Sequence, residues 1–432
     1  MIQMQINRRF AGFAAALAVT AGSLGFAAAT PAGAVVADRS ASAAVSDFYR
    51  SRGGARLWLA PNSGHGAQHL LQLLNSAQVD GLDPGRYDLR ALNKAVAKAS
   101  RGDPRAVIRA EMMLSEAFVA YAGDLARDPG VGIIYVDPEL KPTPLPARVL
   151  LSQAASAPSL GDYVQRIGWL NPTYGQLRQA LVNRRFSNEH QRRLIALNLQ
   201  RARTLPFGRQ RYVVVNPVAQ RLYMYENGEV VDSMRVVAGK PEAATPMMTA
   251  FIRFAVLNPY WNSPPDITAK RLAPNVLKQG KSYLKAKGYE VMSDWSDDAR
   301  VLDASSVDWK AVVAGRTEIR LRQRPGPANS MGKMKFMFPN KEGIWLHDTP
   351  SKDPLGESGR LVSAGCVRLE DAPRFARWLF GQPVKPQGAS AEQRVPLPSL
   401  VPLYITYLTA VPSGSSITYF DDMYGLDRRR MA

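Results

Sequence analysis

The sequence predicts an α+β protein with a helical first part and a β-rich second part. Apolar residues recur at helical spacing before residue 205, whereas short β-branched and aromatic runs separated by turns follow from about residue 210. Helix and loop character returns between Trp261 and Arg324, where strands stand on both sides. We therefore expect a helical domain over 35–205 and a β-rich domain over 206–432, with an insertion over about 262–324.

The first 34 residues are typical of an export signal. Arg8 and Arg9 give a positive start, Phe10 to Ala29 is apolar, and Ala32-Gly33-Ala34 is a small-residue cleavage site. A membrane anchor is the alternative, but polar residues interrupt the run, and no later stretch is long and apolar enough to span a bilayer. We expect a signal peptide over 1–34, a periplasmic protein and no stable membrane anchor after cleavage. The export route, Sec or twin-arginine, stays open.

The formal net charge of the chain is +19. A basic protein outside the cytoplasm is attracted to polyanionic envelope polymers and lipid head groups. Nucleic acid is a poor alternative partner, because export removes the protein from it and the sequence has no nucleic-acid-binding motif. The alternative explanation is a dispersed, solvating charge, since basic runs such as Arg184-Arg185 and Arg428-Arg429-Arg430 are short.

The helices of the first part carry their own start signals and periodicity. Asp103 and Pro104 begin a helix whose apolar positions extend from Val107 to Leu125. Leucines at 70–74 predict a second helix, and a third is expected over about 187–203. The proline-rich segment 141–146 is a stiff connector.

The strands of the second part begin with a predicted hairpin. Residues 211–216 and 221–225 are strand-like, and Asn227-Gly228 is a strong turn signal before a further strand over 230–237. Further strands are predicted at 250–257, 317–322, 334–338, 343–347 and 403–409, and a short helix at 371–381. The insertion between Trp261 and Arg324 is either a lid over a site or an ordinary surface excursion.

Cys366 is the only cysteine of the chain. A lone thiol in an exported protein cannot form an internal disulfide, so it is either a buried small hydrophobe or a free reactive nucleophile. The flanking sequence Ser363-Ala364-Gly365-Cys366-Val367-Arg368 favours the second, because small residues let the backbone approach a substrate closely. The upstream His347, expected at a strand end, is available to take the thiol proton.

His347 follows Ile344-Trp345-Leu346 and precedes a turn at Asp348-Thr349-Pro350. A single histidine is more often structural than catalytic, but of the four histidines only this one has a Gly-Cys pair nearby in sequence. Cysteine and histidine form the minimal nucleophile–base pair. His65 and His69 have a spacing that suits two metal ligands, yet no third ligand accompanies them, so we expect no metal and no cofactor.

The motifs His347-Asp348-Thr349-Pro350 and Ser363-Ala364-Gly365-Cys366-Val367-Arg368 together resemble the catalytic domain of L,D-transpeptidases of the YkuD type. Other segments resemble the long periplasmic Gram-negative branch of this family, whose members have a helical scaffold domain and a capping insertion. These segments include Gly81-Leu82-Asp83-Pro84, Thr245-Pro246-Met247, Asn258-Pro259-Tyr260-Trp261 and Phe338-Pro339-Asn340. The resemblance covers about residues 45–425 and implies a β-sandwich catalytic domain. It leaves only Leu170 to Asn198 for the peptidoglycan-binding module of many such proteins, which is therefore expected to be absent.

The resemblance also implies roles for single residues. Cys366 corresponds to the nucleophile and His347 to the base. The third member of the triad is a backbone carbonyl that falls on Asp348, whose carboxylate otherwise only shapes the turn. Gly365 and Cys366 are expected to offer backbone N–H groups to a developing oxyanion.

Four further residues are candidates for substrate binding: Arg368, Ser363, Trp345 and Asn329. Arg368 either holds the cysteine loop or grips a substrate carboxylate, and Ser363 is expected to hydrogen-bond within that loop. Trp345 and Asn329 either line the pocket or serve only in packing.

By this resemblance the protein is expected to be a peptidoglycan L,D-transpeptidase that joins a donor and an acceptor stem peptide through a cysteine thioester. The donor carries a diamino acid, typically meso-diaminopimelate, at its third position, and the linkage, 3–3 or 1–3, stays open. Carbapenem-type β-lactams are expected inhibitors. One alternative is an L,D-carboxypeptidase or endopeptidase that gives the same acyl group to water; another is a non-catalytic wall-binding envelope protein whose cysteine is merely buried.

Overall fold

The computed structural model describes residues 32–432, with side chains from residue 41 onward. The predicted signal peptide over 1–34 therefore lies almost entirely outside the described residues. Among the helices that are described, none has the length and apolar character needed to cross a membrane.

The first part of the chain is a helical domain, as the periodicity predicts. Its helices are α1 (Ala32–Ser51), α2 (Gly66–Asn75), α3 (Leu89–Ala99), α4 (Pro104–Leu125), α5 (Ala147–Ser156), α6 (Leu160–Gln165), α7 (Pro172–Val182) and α8 (Glu189–Ala202), with a short strand β1 (Ile134–Tyr135) between α4 and α5. Asp103 caps α4 by accepting from the Arg105 N–H, and Pro104 occupies its first turn. The apolar faces of these helices meet around Trp58, Phe118 and other buried residues.

The β-rich part begins with four strands, β2 (Arg211–Asn216), β3 (Arg221–Glu226), β4 (Glu229–Gly239) and β5 (Met248–Leu257). The predicted Asn227-Gly228 turn joins β3 to β4. Both turn residues have positive φ angles, 51° and 87°, which Asn and Gly tolerate best.

The predicted insertion is a small folded unit, which we call the cap (residues 261–323). Its elements are β6 (Trp261–Ser263), α9 (Pro265–Ile267), α10 (Ala273–Gln279), α11 (Ser282–Lys287), β7 (Tyr289–Met292), β8 (Val301–Leu302), α12 (Trp309–Val313) and β9 (Arg320–Gln323). The strands form a separate sheet in the order β6-β9-β7-β8. Leu272, Val276, Trp309 and Leu321 give the cap a hydrophobic core of its own.

After the cap the chain returns to the main sheet. The remaining elements are β10 (Met334–Met337), β11 (Leu346–His347), α13 (Asp353–Gly356), β12 (Leu361–Ser363), β13 (Val367–Leu369), α14 (Ala372–Phe380), β14 (Gln393–Ile405), β15 (Ala410–Ser413), β16 (Ser416–Tyr419) and α15 (Leu426–Met431). Strand β11 is shorter than the predicted 343–347. The Asn340 side chain bonds the Phe338 carbonyl and both backbone groups of Ile344, which holds the preceding residues in a turn.

The main sheet closes on itself. Its order is β1-β5-β10-β11-β13-β4-β3-β2-β14, and β14 pairs with β5 as well as with β2. The predicted β-sandwich is thus one continuous hydrogen-bonded ring around a single apolar interior. Helix α14 inserts Phe375 into that interior, where its ring lies 4.8 Å from the ring of Phe336.

A buried ion pair joins the helical domain to the last segment of the chain. Arg201 of α8 donates to the Asp427 carboxylate at 2.5 Å and to the Tyr407 carbonyl at 2.8 Å. The second oxygen of Asp427 accepts from Thr409 at 2.6 Å, and Asn198 of α8 donates to the same threonine at 2.9 Å. These contacts fix α8 against the β-rich domain.

Candidate active site

Strand pairing brings His347 and Cys366 together. Strands β11 and β13 run parallel, with Leu346 opposite Val367 and His347 opposite Arg368. Cys366 immediately precedes β13, so it lies level with the start of β11, two register positions from the His347–Arg368 pair and on the same face of the sheet. Both residues line one cavity of about 370 Å³ between the sheet and the cap.

His347 is buried and held in one orientation. Its Nδ1–H donates to the backbone carbonyl of Asp348 at 2.5 Å. This bond leaves Nε2 with a free lone pair, the form that accepts a proton. Burial lowers the pKa of His347 to about 4, so the imidazole is neutral near pH 7.

The Cys366 thiol is also in its neutral form. Burial raises its pKa, although the backbone N–H of Trp345 and the charge of Arg368 oppose that rise. The thiol donates to the Gly343 carbonyl at 3.6 Å. The resting pair is therefore a thiol and an imidazole, and attack by sulfur requires removal of its proton by a base.

Hydrogen bonds hold the loop that carries the cysteine, Ser363 to Cys366; we call it the nucleophile loop. The Ser363 hydroxyl donates to the Cys366 carbonyl at 2.6 Å, and Thr245 donates to the Gly365 carbonyl at 2.7 Å. Gly365 has a φ of 111°, and a Cβ there would stand 3.1 Å from Ile344. Glycine is therefore the residue that this turn tolerates.

The predicted oxyanion donor Gly365 is engaged elsewhere. Its N–H donates to the Ser363 hydroxyl at 3.2 Å, because the turn folds the amide back onto that side chain. The N–H of Cys366 is left as the candidate backbone donor beside the sulfur. Ser363 is used within the loop, as expected, and at the same time lines the cavity.

Asp348 has two structural functions. Its carbonyl orients His347, as the resemblance implies. Its carboxylate accepts from the Lys333 N–H and from Lys352 Nζ, each at 2.9 Å, and so also shapes the turn.

The four candidate binding residues separate into two groups. Arg368 and Ser363 line the cavity, whereas Trp345 and Asn329 are outside its lining in the described structure. The Asn329 amide donates to the carbonyls of Pro259, Gln323 and Arg324. Asn329 thus ties the end of the cap to the sheet, which is the packing alternative, and Trp345 contributes its backbone N–H to the sulfur rather than its ring to the cavity.

Cap residues that sequence reasoning did not single out complete the cavity. They are Trp261, Pro264, Ile267, Arg271, Leu272, Asn275, Tyr283, Lys287 and Tyr289. Arg271 lies in a π-helical turn, Thr268–Leu272. In the sequence, the basic pair Lys270-Arg271 was the available sign of a cationic cap residue near the site. Only the folded cap shows which of the two residues faces the cavity.

His65 and His69 lie in the helical domain, at the start of α2 and within it. Among residues 32–432 there is no group of three His, Cys, Asp or Glu side chains suited to a metal ion.

The closed β domain places a cysteine and an oriented neutral histidine in one cavity. Residues 210–385 match the YkuD family, described as the L,D-transpeptidase catalytic domain, and residues 43–181 match a scaffold domain. Residues 210–385 are thus an L,D-transpeptidase catalytic domain of the YkuD family, preceded by a scaffold domain. No peptidoglycan-binding module was found.

The chain is similar to a curated protein of Haemophilus influenzae named "Putative L,D-transpeptidase", with 28% identity over 279 residues. The match covers 62% of this chain and 55% of that protein, so this chain spans about half the length of its relative. Among solved structures, an L,D-transpeptidase from Mycobacterium smegmatis shows 15% identity and a TM-score of 0.21, covering 45% of this chain and 58% of the other. The LD transpeptidase LdtMt1 in complex with imipenem shows 16% identity and a TM-score of 0.21 over the same shares.

Proposed function

We propose that this protein is a peptidoglycan L,D-transpeptidase in which Cys366 is the nucleophile and His347 the base. The observation that carries the proposal is the neutral His347, oriented by the Asp348 carbonyl, in the same cavity as the protonated thiol of Cys366. A thiol that keeps its proton until a base removes it suits acyl transfer.

In the first step, the Cys366 sulfur attacks the carbonyl carbon that follows the third residue of the donor stem. His347 Nε2 takes the thiol proton, and the Cys366 N–H faces the developing oxyanion. The carbon–nitrogen bond then breaks. The departing amine of the D-residue takes the proton from His347, and a thioester remains on Cys366.

In the second step, an amine of the acceptor stem attacks the thioester carbonyl. His347 removes a proton from that amine, the carbon–sulfur bond breaks, and the cysteine sulfur recovers the proton. The product is a new amide between two stems. Water in place of the amine gives hydrolysis and an L,D-carboxypeptidase or endopeptidase instead.

The proposal includes the partners and the compartment. Peptidoglycan stems act as donor and acceptor, in a 3–3 or 1–3 linkage, and the periplasm is the place where they meet the enzyme. Carbapenem-type β-lactams are proposed inhibitors, since their strained carbonyl acylates a thiol without needing the acceptor.

The test is mass spectrometry of muropeptides incubated with the purified protein. Wild type is expected to yield cross-linked dimers, and Cys366→Ala to yield none while staying folded. His347→Ala is expected to lower acylation about 10²–10⁴-fold, the usual effect of losing a general base. His65→Ala is the matched control, because His65 lies in the helical domain, and it is expected to keep full activity.

Other products overturn the proposal in distinct ways. Shortened stems without dimers identify a hydrolase that uses the same cysteine. Unchanged muropeptides, together with a Cys366 thiol that resists labelling, identify a non-catalytic wall-binding protein.

A further inference from the structure

The cavity around Cys366 has an unbalanced charge. Its lining includes three cationic side chains, Arg271, Lys287 and Arg368, and neither an aspartate nor a glutamate among the described residues. Arg368 is half-buried, and Arg271 and Lys287 are exposed. Like charges that face one cavity repel each other, and an anion bound between them offsets that repulsion. The cavity therefore suits an anionic ligand.

None of the three cations has a side-chain partner among the described residues. In the part of the chain that the structure describes, the guanidinium groups of Arg271 and Arg368 make no hydrogen bond or ion pair. Burial lowers the pKa of Arg368, and the charge of Arg271 adds to that effect, so each of the two charges lies within the field of the other.

Arg320 and Arg322 of the cap are paired, whereas Arg300 and Arg316 are exposed, make no side-chain pair among the described residues and lie outside the cavity lining, so Arg271 is the unpaired cap arginine that faces the site. Arg322 binds Glu290 at 2.8 Å, and Arg320 donates to Asn262 at 3.0 Å. Arg271 instead projects from the π-helical turn Thr268–Leu272, a local widening of the helix that is frequent at functional sites.

We propose that Arg271 is a specificity-determining residue that, together with Arg368, binds a carboxylate of the donor stem next to the scissile bond. This inference rests on the proposed function. Guanidinium groups bind carboxylates through two parallel hydrogen bonds, and a carboxylate between these two neutralises both. Because Arg271 belongs to the cap and Arg368 to the sheet, a bound donor links the two units across the nucleophile.

A donor stem offers two carboxylates within a few bonds of the scissile carbonyl. One is the C-terminal carboxylate of the departing D-residue, and the other is on the side chain of the diamino acid. Both carboxylates would bind the two guanidinium groups in the same way. Donor stems in which one or the other carboxylate is amidated show which of the two is bound.

The first test does not depend on turnover of peptidoglycan. Cys366 is the only cysteine, so its alkylation by anionic iodoacetate and by neutral iodoacetamide reports the local charge. We expect Arg271→Gln to lower the iodoacetate-to-iodoacetamide rate ratio about three- to tenfold at low salt, as loss of a positive charge from the same cavity predicts. The difference is expected to shrink as salt is added.

Lys270→Gln is the matched control for this measurement. Lys270 is exposed, adjacent in sequence and outside the cavity lining, and its removal changes the net charge equally. An equal loss in both variants, or no loss in Arg271→Gln, overturns the proposal.

The second test uses donor stems. Arg271→Gln is expected to raise KM for the acidic donor about tenfold or more with a smaller change in kcat, and Arg271→Lys to restore part of that loss. Amidation of the bound carboxylate is expected to abolish the difference between wild type and variant. An equal defect on every donor indicates a structural role and refutes the assignment. If wild type turns over no donor, the proposed function fails, while the alkylation ratio still decides the charge assignment.

Discussion

Burial acts on both titratable groups of the candidate pair in the direction of neutrality. It lowers the pKa of His347 to about 4 and raises that of Cys366. A site with a charged thiolate–imidazolium pair reacts with any electrophile that reaches it. In the proposed mechanism the thiol is activated only when His347 removes its proton, which favours reaction with a positioned carbonyl.

This neutrality predicts the pH dependence of acylation. With His347 as a neutral base, the rate of carbapenem acylation is expected to be nearly flat from pH 5.5 to 8 and to fall below pH 5, as the imidazole with its pKa of about 4 begins to protonate. Rapid-mixing kinetics of adduct formation measures it. An inflection near the ordinary histidine pKa of 6.5 contradicts the assignment.

The same shift predicts a pH dependence of stability. Between the folded pKa of about 4 and the ordinary value of 6.5, the unfolded chain binds the proton that folded His347 refuses. Stability is therefore full above pH 6.5 and falls as the pH drops towards 4, by up to about 3 kcal/mol from this residue. His347→Asn is expected to remove this component, seen by urea denaturation at pH 7 and pH 4.5. A parallel pH dependence in wild type and variant contradicts it.

At the scale of single residues, the sequence points to residues that neighbouring motifs mark. It does not reveal roles that depend on contacts with distant parts of the chain. Cys366 and His347 are recognisable from adjacent motifs. For Asn329 the sequence left open a pocket role or a packing role, because its partners, such as the Pro259 carbonyl, are brought to it only by folding. The orientation of Arg271 likewise depends on how the whole cap folds.

Among the structural elements, the nucleophile loop depends on the turn between β4 and β5. Thr245 donates to the Gly365 carbonyl at 2.7 Å and accepts from the Gly239 N–H at 2.9 Å. Gly239 in turn accepts, through its carbonyl, from the Tyr424 hydroxyl at 2.6 Å. The Thr245 hydroxyl therefore links the nucleophile loop to Gly239 at the end of β4. Gly239 in turn links to Tyr424 in the last segment of the chain.

Loss of the Thr245 hydroxyl is expected to reduce both stability and activity. Thr245→Val keeps the shape but leaves two backbone groups unpaired, which costs about 1–3 kcal/mol, and carbapenem acylation is expected to fall about tenfold as the loop loses its position. Thr245→Ser is expected to restore the rate. Thr249→Val is the matched control, since the buried Thr249 hydroxyl already lacks a partner. Unimpaired acylation in Thr245→Val would show that the nucleophile loop keeps its position without the Thr245 hydroxyl.

Elements with local signals were predictable, and elements defined by pairing were not. The capped start of α4 and the Asn-Gly hairpin follow from a few adjacent residues. The closure of the sheet does not, because β14 pairs with two strands that are distant in sequence, one parallel and one antiparallel. Strand β11 was overestimated, since its apolar run is typical of a longer strand while Asn340 holds part of it in a turn.

For the whole molecule, the cap is separable from the catalytic pair. Its core around Leu272, Val276, Trp309 and Leu321 is distinct from that of the main sheet. Both reacting groups lie on the sheet side of the cavity, whereas the cap supplies one wall of it.

Replacement of residues 264–319 by a short Gly/Ser linker is therefore expected to leave a folded β domain. Cys366 should still react with iodoacetamide, while turnover of stem peptides collapses because remote contacts position the donor carbonyl. Circular dichroism, labelling and muropeptide analysis measure the three outcomes. Full cross-linking shows that the cap is dispensable, and global unfolding shows that it belongs to the core of the β domain.

The buried pair between Arg201 and Asp427 has a consequence for biosynthesis. The two residues are 226 positions apart, so a ribosome working at about 5–20 residues per second makes the arginine some 10–45 seconds before the aspartate. During that interval the nascent α8 carries a cation that has no counter-ion, and its face towards the β-rich domain stays in water. The helical domain is synthesised first, but its last helix can dock only after almost all of the catalytic domain has been translated.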